Sequence, residues 1–97
     1  MSVSGDRGPV LIVDDEEEVR ALLHEIFRSS GYRCRLAANG REALEAFEAE
    51  RPLLTVADIK MPVMDGLEFL RRARAADPDA VVLVLTESAM SGRPWRA

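Results

Sequence analysis

The stretch Val10-Leu11-Ile12-Val13-Asp14-Asp15 decides the fold. Four β-prone apolar residues in a row, with no polar alternation, form the pattern of a strand covered on both faces, and such strands belong to parallel sheets layered with helices. The run stops abruptly at two acids. From there Val19, Leu22, Leu23, Ile26 and Phe27 recur at helical spacing until Ser30-Gly31, which predicts one amphipathic helix. Arg33-Cys34-Arg35-Leu36-Ala37 then alternates polar and apolar residues, as a half-exposed edge strand does.

The same alternation of strand and helix continues. Asn39-Gly40 turns the chain, Ala43, Leu44 and Phe47 mark a second helix, and Arg51-Pro52 ends it. Leu53 to Ala57 reads as a third strand ending at Asp58. A loop, Ile59-Lys60-Met61-Pro62-Val63-Met64, precedes a third helix carrying Leu67, Phe69, Leu70 and Ala73, which Asp77-Pro78-Asp79 closes. Val81 to Leu85 is continuously apolar, reads as an interior strand, and leads to Thr86. Three helix starts carry an Asp or Asn with Glu three residues later: Asp15 with Glu18, Asn39 with Glu42, and Asp65 with Glu68, each a capping pair by spacing. Strands and helices alternating four times over predict an α/β fold with a doubly wound parallel sheet.

Length and charge narrow the function. Ninety-seven residues with ordinary globular composition make one domain. Seventeen acids against 13 bases, a net charge of −4, weigh against non-specific binding to nucleic acid or to an anionic membrane. The apolar runs fall far short of the roughly 20 residues of a membrane helix. Cys34 is the single cysteine, and Met1 to Pro9 lacks the apolar run of a secretory signal, so a reducing cytoplasm is the expected compartment. No glycine-rich nucleotide-binding motif occurs. His24 has no second histidine near it and reads as a surface or boundary residue, and Cys34 reads as a packed thiol.

In open parallel sheets ligands bind beyond the carboxyl ends of the strands. Asp14 and Asp15 end the first strand, Asp58 the third and Thr86 the fourth, so neighbouring strands would gather all four at one edge. Taken singly, each acid has an ordinary explanation: Asp15 and Asp65 as helix caps, any strand-end Asp as a turn residue. Three carboxylates together repel one another unless a cation sits among them, and an all-oxygen set suits Mg²⁺ better than zinc. A carboxylate beside such an ion is also a candidate nucleophile toward phosphorus, and a strand-end hydroxyl such as Thr86 could donate to a phosphoryl oxygen.

Three segments resemble the receiver domain of bacterial two-component response regulators, the CheY-like superfamily: Val10-Leu11-Ile12-Val13-Asp14-Asp15-Glu16, Asp58-Ile59-Lys60-Met61-Pro62-Val63-Met64-Asp65-Gly66, and Val82-Leu83-Val84-Leu85-Thr86. The resemblance implies strand order 2-1-3-4 and a phosphoacceptor module rather than an enzyme. It implies Asp58 as phosphoacceptor and Mg²⁺ held by Asp14, Asp15, Asp58 and the backbone carbonyl of Lys60. Thr86 would be the switch hydroxyl, and a histidine kinase or phosphotransfer protein the phosphoryl source.

The family continues with a fourth helix, a fifth strand ending in Lys-Pro and a last helix. Residues 89–97 match none of these, and Lys60 is the single lysine. The expected organisation is therefore a flexible leader at 1–8, an incomplete receiver domain at 9–88 and an irregular tail at 89–97, with self-association through an exposed fourth strand and no direct DNA or membrane binding. Two alternatives remain: a non-switching binding or dimerisation module of the same family, and a small aspartate-nucleophile phosphatase.

Overall fold

The structure, a computed structural model, describes residues 8–59, 61 and 63–85. The expected leader, apart from Gly8, and the tail at 89–97 lie outside the described residues, as do Lys60 and Thr86. Four strands, β1 (Val10–Val13), β2 (Cys34–Ala37), β3 (Leu54–Asp58) and β4 (Val82–Leu85), alternate with three helices, α1 (Glu17–Ser29), α2 (Gly40–Ala49) and α3 (Gly66–Ala76). All strand pairs are parallel and the order is β2-β1-β3-β4, as the strand pattern and the resemblance imply.

The apolar run of β1 is buried along its whole length because it lies between two strands and two helical layers. Leu11 and Val13 of β1 and Ala57 of β3 face α2 and α3, where they join Ala43, Phe47, Phe69 and Ala73 in one core cluster. The Phe47 and Phe69 rings meet edge to face at 6.2 Å and join the two helices. Val10, Ile12 and Val56, on the opposite parity, are buried on the other face, where α1 packs on β1 and β2.

One expectation needs correction. Asp15 does not cap α1: the N-cap is Glu16, with no side-chain capping bond. The helix starts one residue later than the Asp15–Glu18 spacing implies: the Glu16 N–H donates to the Asp14 carboxylate at 2.9 Å, and Asp15 is exposed. Asn39 and Asp65 do cap α2 and α3, accepting from the Glu42 and Glu68 amides at 2.9 and 2.8 Å. β4 is partly exposed, as expected for a fourth strand without a further neighbour among the described residues. Leu83 shares the face of Val56 and Ile12, where α1 packs on β1 and β2, and it is 52% exposed, with the neighbouring Val81 at 57%.

Candidate functional site

Register builds the site. Val13 of β1 pairs with Ala57 of β3, so the residues that follow, Asp14 and Asp58, emerge side by side at the carboxyl edge of the two central strands. Asp14 is 4% exposed, Asp58 half-buried and Asp15 exposed, and one carboxylate oxygen from each lies within 4.8 Å of the others. The structure thus brings together the three acids that strand ends alone suggested. Lys60 and Thr86 lie outside the described residues.

Asp14 is held from several sides. Its N–H donates to the Ala37 carbonyl at 3.1 Å, and the Arg20 guanidinium donates to its own carbonyl at 2.6 Å. The side chain accepts the Glu16 N–H described above. Burial pushes the Asp14 carboxyl above its ordinary range; the Glu16 N–H works against this, and the negative charges of Asp58, Asp15 and Glu16 add to the rise. Three carboxylates, the innermost fixed by the backbone, form an all-oxygen donor set that fits Mg²⁺ chemistry.

Asp58 is anchored through its neighbour. The Ile59 N–H donates to the Leu85 carbonyl at 2.9 Å, while the Ile59 carbonyl accepts the Gly66 N–H at 3.0 Å. The chain after Asp58 is therefore tied on one side to the end of β4 and on the other to the first residue of α3. Gly66 rests directly on this backbone: a Cβ there would lie 2.4 Å from the Asp58 carbonyl oxygen. Gly40, the first residue of α2, sits as closely on Met64 of the same loop, with 2.6 Å from its Cβ position to the Met64 carbonyl oxygen.

In the sequence Gly40 reads only as part of a turn and Gly66 only as the end of a segment, with a packing role for neither. A signal was present, because Asn39-Gly40 and Asp65-Gly66 each put glycine at the first position of a capped helix, where it weakens the helix unless a close contact needs it.

The family model described as the response regulator receiver domain matches residues 10–94. Sporulation initiation phosphotransferase F of Bacillus subtilis is 44% identical over 77 residues, 79% of this chain and 62% of that protein. Response regulator MprA of Mycolicibacterium vanbaalenii is 43% identical over 77 residues, 79% of this chain and 33% of the relative. The chain therefore spans less than two thirds of one of these relatives and about a third of the other. Among solved structures, response regulator TrrA from Thermotoga maritima, in complex with Mg(2+)-BeF, superposes with a TM-score of 0.78 at 37% identity, covering 86% of this chain and 72% of that one. CheY of Borrelia burgdorferi in the CheX-CheY-BeF3-Mg+2 complex aligns with a TM-score of 0.74 at 33% identity, covering 79% of this chain and 60% of that one. Among the described residues no helix is long and apolar enough to cross a membrane.

Proposed function

The chain belongs to the response regulator receiver domain family, and from that premise we propose that it takes a phosphoryl group onto Asp58 from a phosphohistidine of a histidine kinase or phosphotransfer protein. The observation that carries this reading is the convergence of the Asp14, Asp15 and Asp58 carboxylates within 4.8 Å at the carboxyl edge of β1 and β3.

In this reading a carboxylate oxygen of Asp58 attacks phosphorus in line. The P–N bond to the donor imidazole breaks, a P–O bond to Asp58 forms, and the leaving nitrogen keeps the bond electrons. Asp14 and Asp15, with Asp58 and the backbone carbonyl of Lys60, would hold Mg²⁺. When bound, the ion neutralises charge on the phosphoryl oxygens. The Glu16 N–H holds the Asp14 carboxylate and the strand pairing holds its backbone, so this ligand would be in place before an ion binds. Thr86 is the proposed switch hydroxyl, donating to the new phosphoryl group at the end of β4.

The Mg(2+)-BeF complex of TrrA supports Mg²⁺ as the ion. The exposed Leu83 on β4 and Val81 just before it, on a strand with no neighbour on its outer edge among the described residues, support self-association through that strand. Sedimentation velocity across a concentration series tests this second point, and a concentration-independent monomer would overturn it.

Incubation with Mg²⁺ and a small phosphodonor such as acetyl phosphate, read by intact mass, tests the main reading. Wild type gains one phosphoryl group and Asp58→Asn gains none. Modification of both proteins, or of neither, overturns it.

A further inference from the structure

Gly66 has a φ outside the left-handed region, so its backbone conformation is open to any residue. Its place at the start of α3 gives glycine no intrinsic advantage either, since alanine is the better helix former. The remaining reason is contact. A Cβ at Gly66 would lie 2.4 Å from the Asp58 carbonyl oxygen, 2.9 Å from the Ile59 Cα and 3.0 Å from the Asp58 carbonyl carbon. All three are backbone atoms, which cannot swing aside as a side chain can.

On the other side of the same loop, a Cβ at Gly40 would lie 2.6 Å from the Met64 carbonyl oxygen and 2.8 Å from the Met64 Cβ. Two capped helices thus close on one loop through bare Cα atoms. One bears on the residue that carries the acceptor carboxylate, and the other bears on Met64, two residues before Gly66.

We propose that Gly66 is a positioning residue for Asp58: the first turn of α3 rests on the Asp58–Ile59 backbone, and this contact sets where the Asp58 carboxylate stands relative to Asp14 and Asp15. Gly40 holds the far side of the loop through Met64. The inference rests on the reading of Asp58 as phosphoacceptor for its functional consequence, and on the contacts alone for its structural one. Restoring ordinary van der Waals separation, 3.4 Å from the present 2.4 Å, moves the two backbones apart by about 1 Å. A displacement of that size at a reacting group can lower a rate by about 10²-fold.

Three variants of the full chain separate this from a loss of helix stability. Gly66→Ala and Gly40→Ala press on the loop, while Ala73→Gly loosens α3 from inside the core with no contact to Asp58. Gly66→Ala is expected to shift the amide resonances of Asp58 and Ile59 in the metal-free protein. It should also raise the Mg²⁺ Kd by calorimetry about tenfold or more and slow modification by acetyl phosphate by about 10²-fold. Gly40→Ala gives the same pattern, smaller, and Ala73→Gly leaves the Asp58 and Ile59 resonances and the Mg²⁺ Kd at wild-type values.

A folded Gly66→Ala protein with wild-type Asp58 and Ile59 resonances overturns the proposal. If Gly66→Ala does not fold, Gly40→Ala decides, and wild-type Asp58 and Ile59 resonances in that variant overturn it. A wild-type protein that accepts no phosphoryl group overturns the reading of Asp58 instead, and the metal-free resonances still decide the positioning role.

Discussion

Asp14 and Asp58 stand one step beyond the Val13–Ala57 pair of two parallel strands, and that register turns two distant acids into neighbours whose charges repel. Asp14 bears most of the consequence, because it is the buried member and burial is the largest cause of its raised pKa.

A pH dependence follows with a definite sign. A carboxyl whose folded pKa lies above its reference value of 3.8 binds protons on folding between the two values. The stability it contributes is fully present below pH 3.8 and is lost as pH rises through the raised folded value. Asp14→Asn keeps an acceptor for the Glu16 N–H but has no charge to bury. Without metal, the variant is expected to melt above wild type at pH 7, the gap closing as pH falls toward 4. Parallel melting curves at all pH values would contradict the burial argument.

Added Mg²⁺ should reverse that order. At about 100 times its Kd a ligand of the native state stabilises by about 2.7 kcal/mol, which for a domain of this size raises Tm by roughly 10–20 °C. Wild type gains this increment and chelation by EDTA removes it, while Asp14→Asn and Asp58→Asn lose most of it. A shift of equal size in Asp58→Asn would place the ion elsewhere.

Much of this arrangement was legible beforehand, and the parts that were not share a cause. The unbroken run Val10–Val13 announced a central strand, and the acids at strand ends converged once parallel order was assumed. Capping at Asn39 and Asp65 depends on a few consecutive residues, so spacing sufficed. At α1 the same spacing misled: the helix begins one residue later, after Glu16, whose N–H goes to the Asp14 carboxylate. The contacts of Gly40 and Gly66 depend on distances between elements. Local chemistry can be read along a chain, whereas separations between elements are set by the packing of the whole.

Thr55 offers a test of the core. It is fully buried on β3, between Leu11 of β1 and Val82 of β4, and its Oγ has no hydrogen-bond partner among the described residues. An unpaired buried hydroxyl is destabilising by about 1–3 kcal/mol, and valine has nearly the same shape with equal or better strand propensity. Thr55→Val is therefore expected to stabilise the fold by about 1–2 kcal/mol, with a higher urea midpoint and an unchanged m value. A lower midpoint would mean that the hydroxyl has a partner in solution.

Val63 holds the one strained non-glycine backbone among the described residues, with φ at 74°. A β-branched side chain is poorly suited to that region, which carries a penalty of about 1–2 kcal/mol for ordinary residues, and the side chain recovers little by packing because Val63 is 76% exposed. Asparagine tolerates the left-handed region and has no branch at Cβ. Val63→Asn should therefore raise stability by about 1 kcal/mol. Val63→Gly also relieves the strain but gives the unfolded chain more freedom to lose, so its gain is smaller. The Mg²⁺ Kd should stay at the wild-type value in both, because the exposed side chain is outside the carboxylate cluster. If urea denaturation instead ranks wild type above Val63→Asn, the native loop depends on contacts of the valine side chain and strain is not what distinguishes this position.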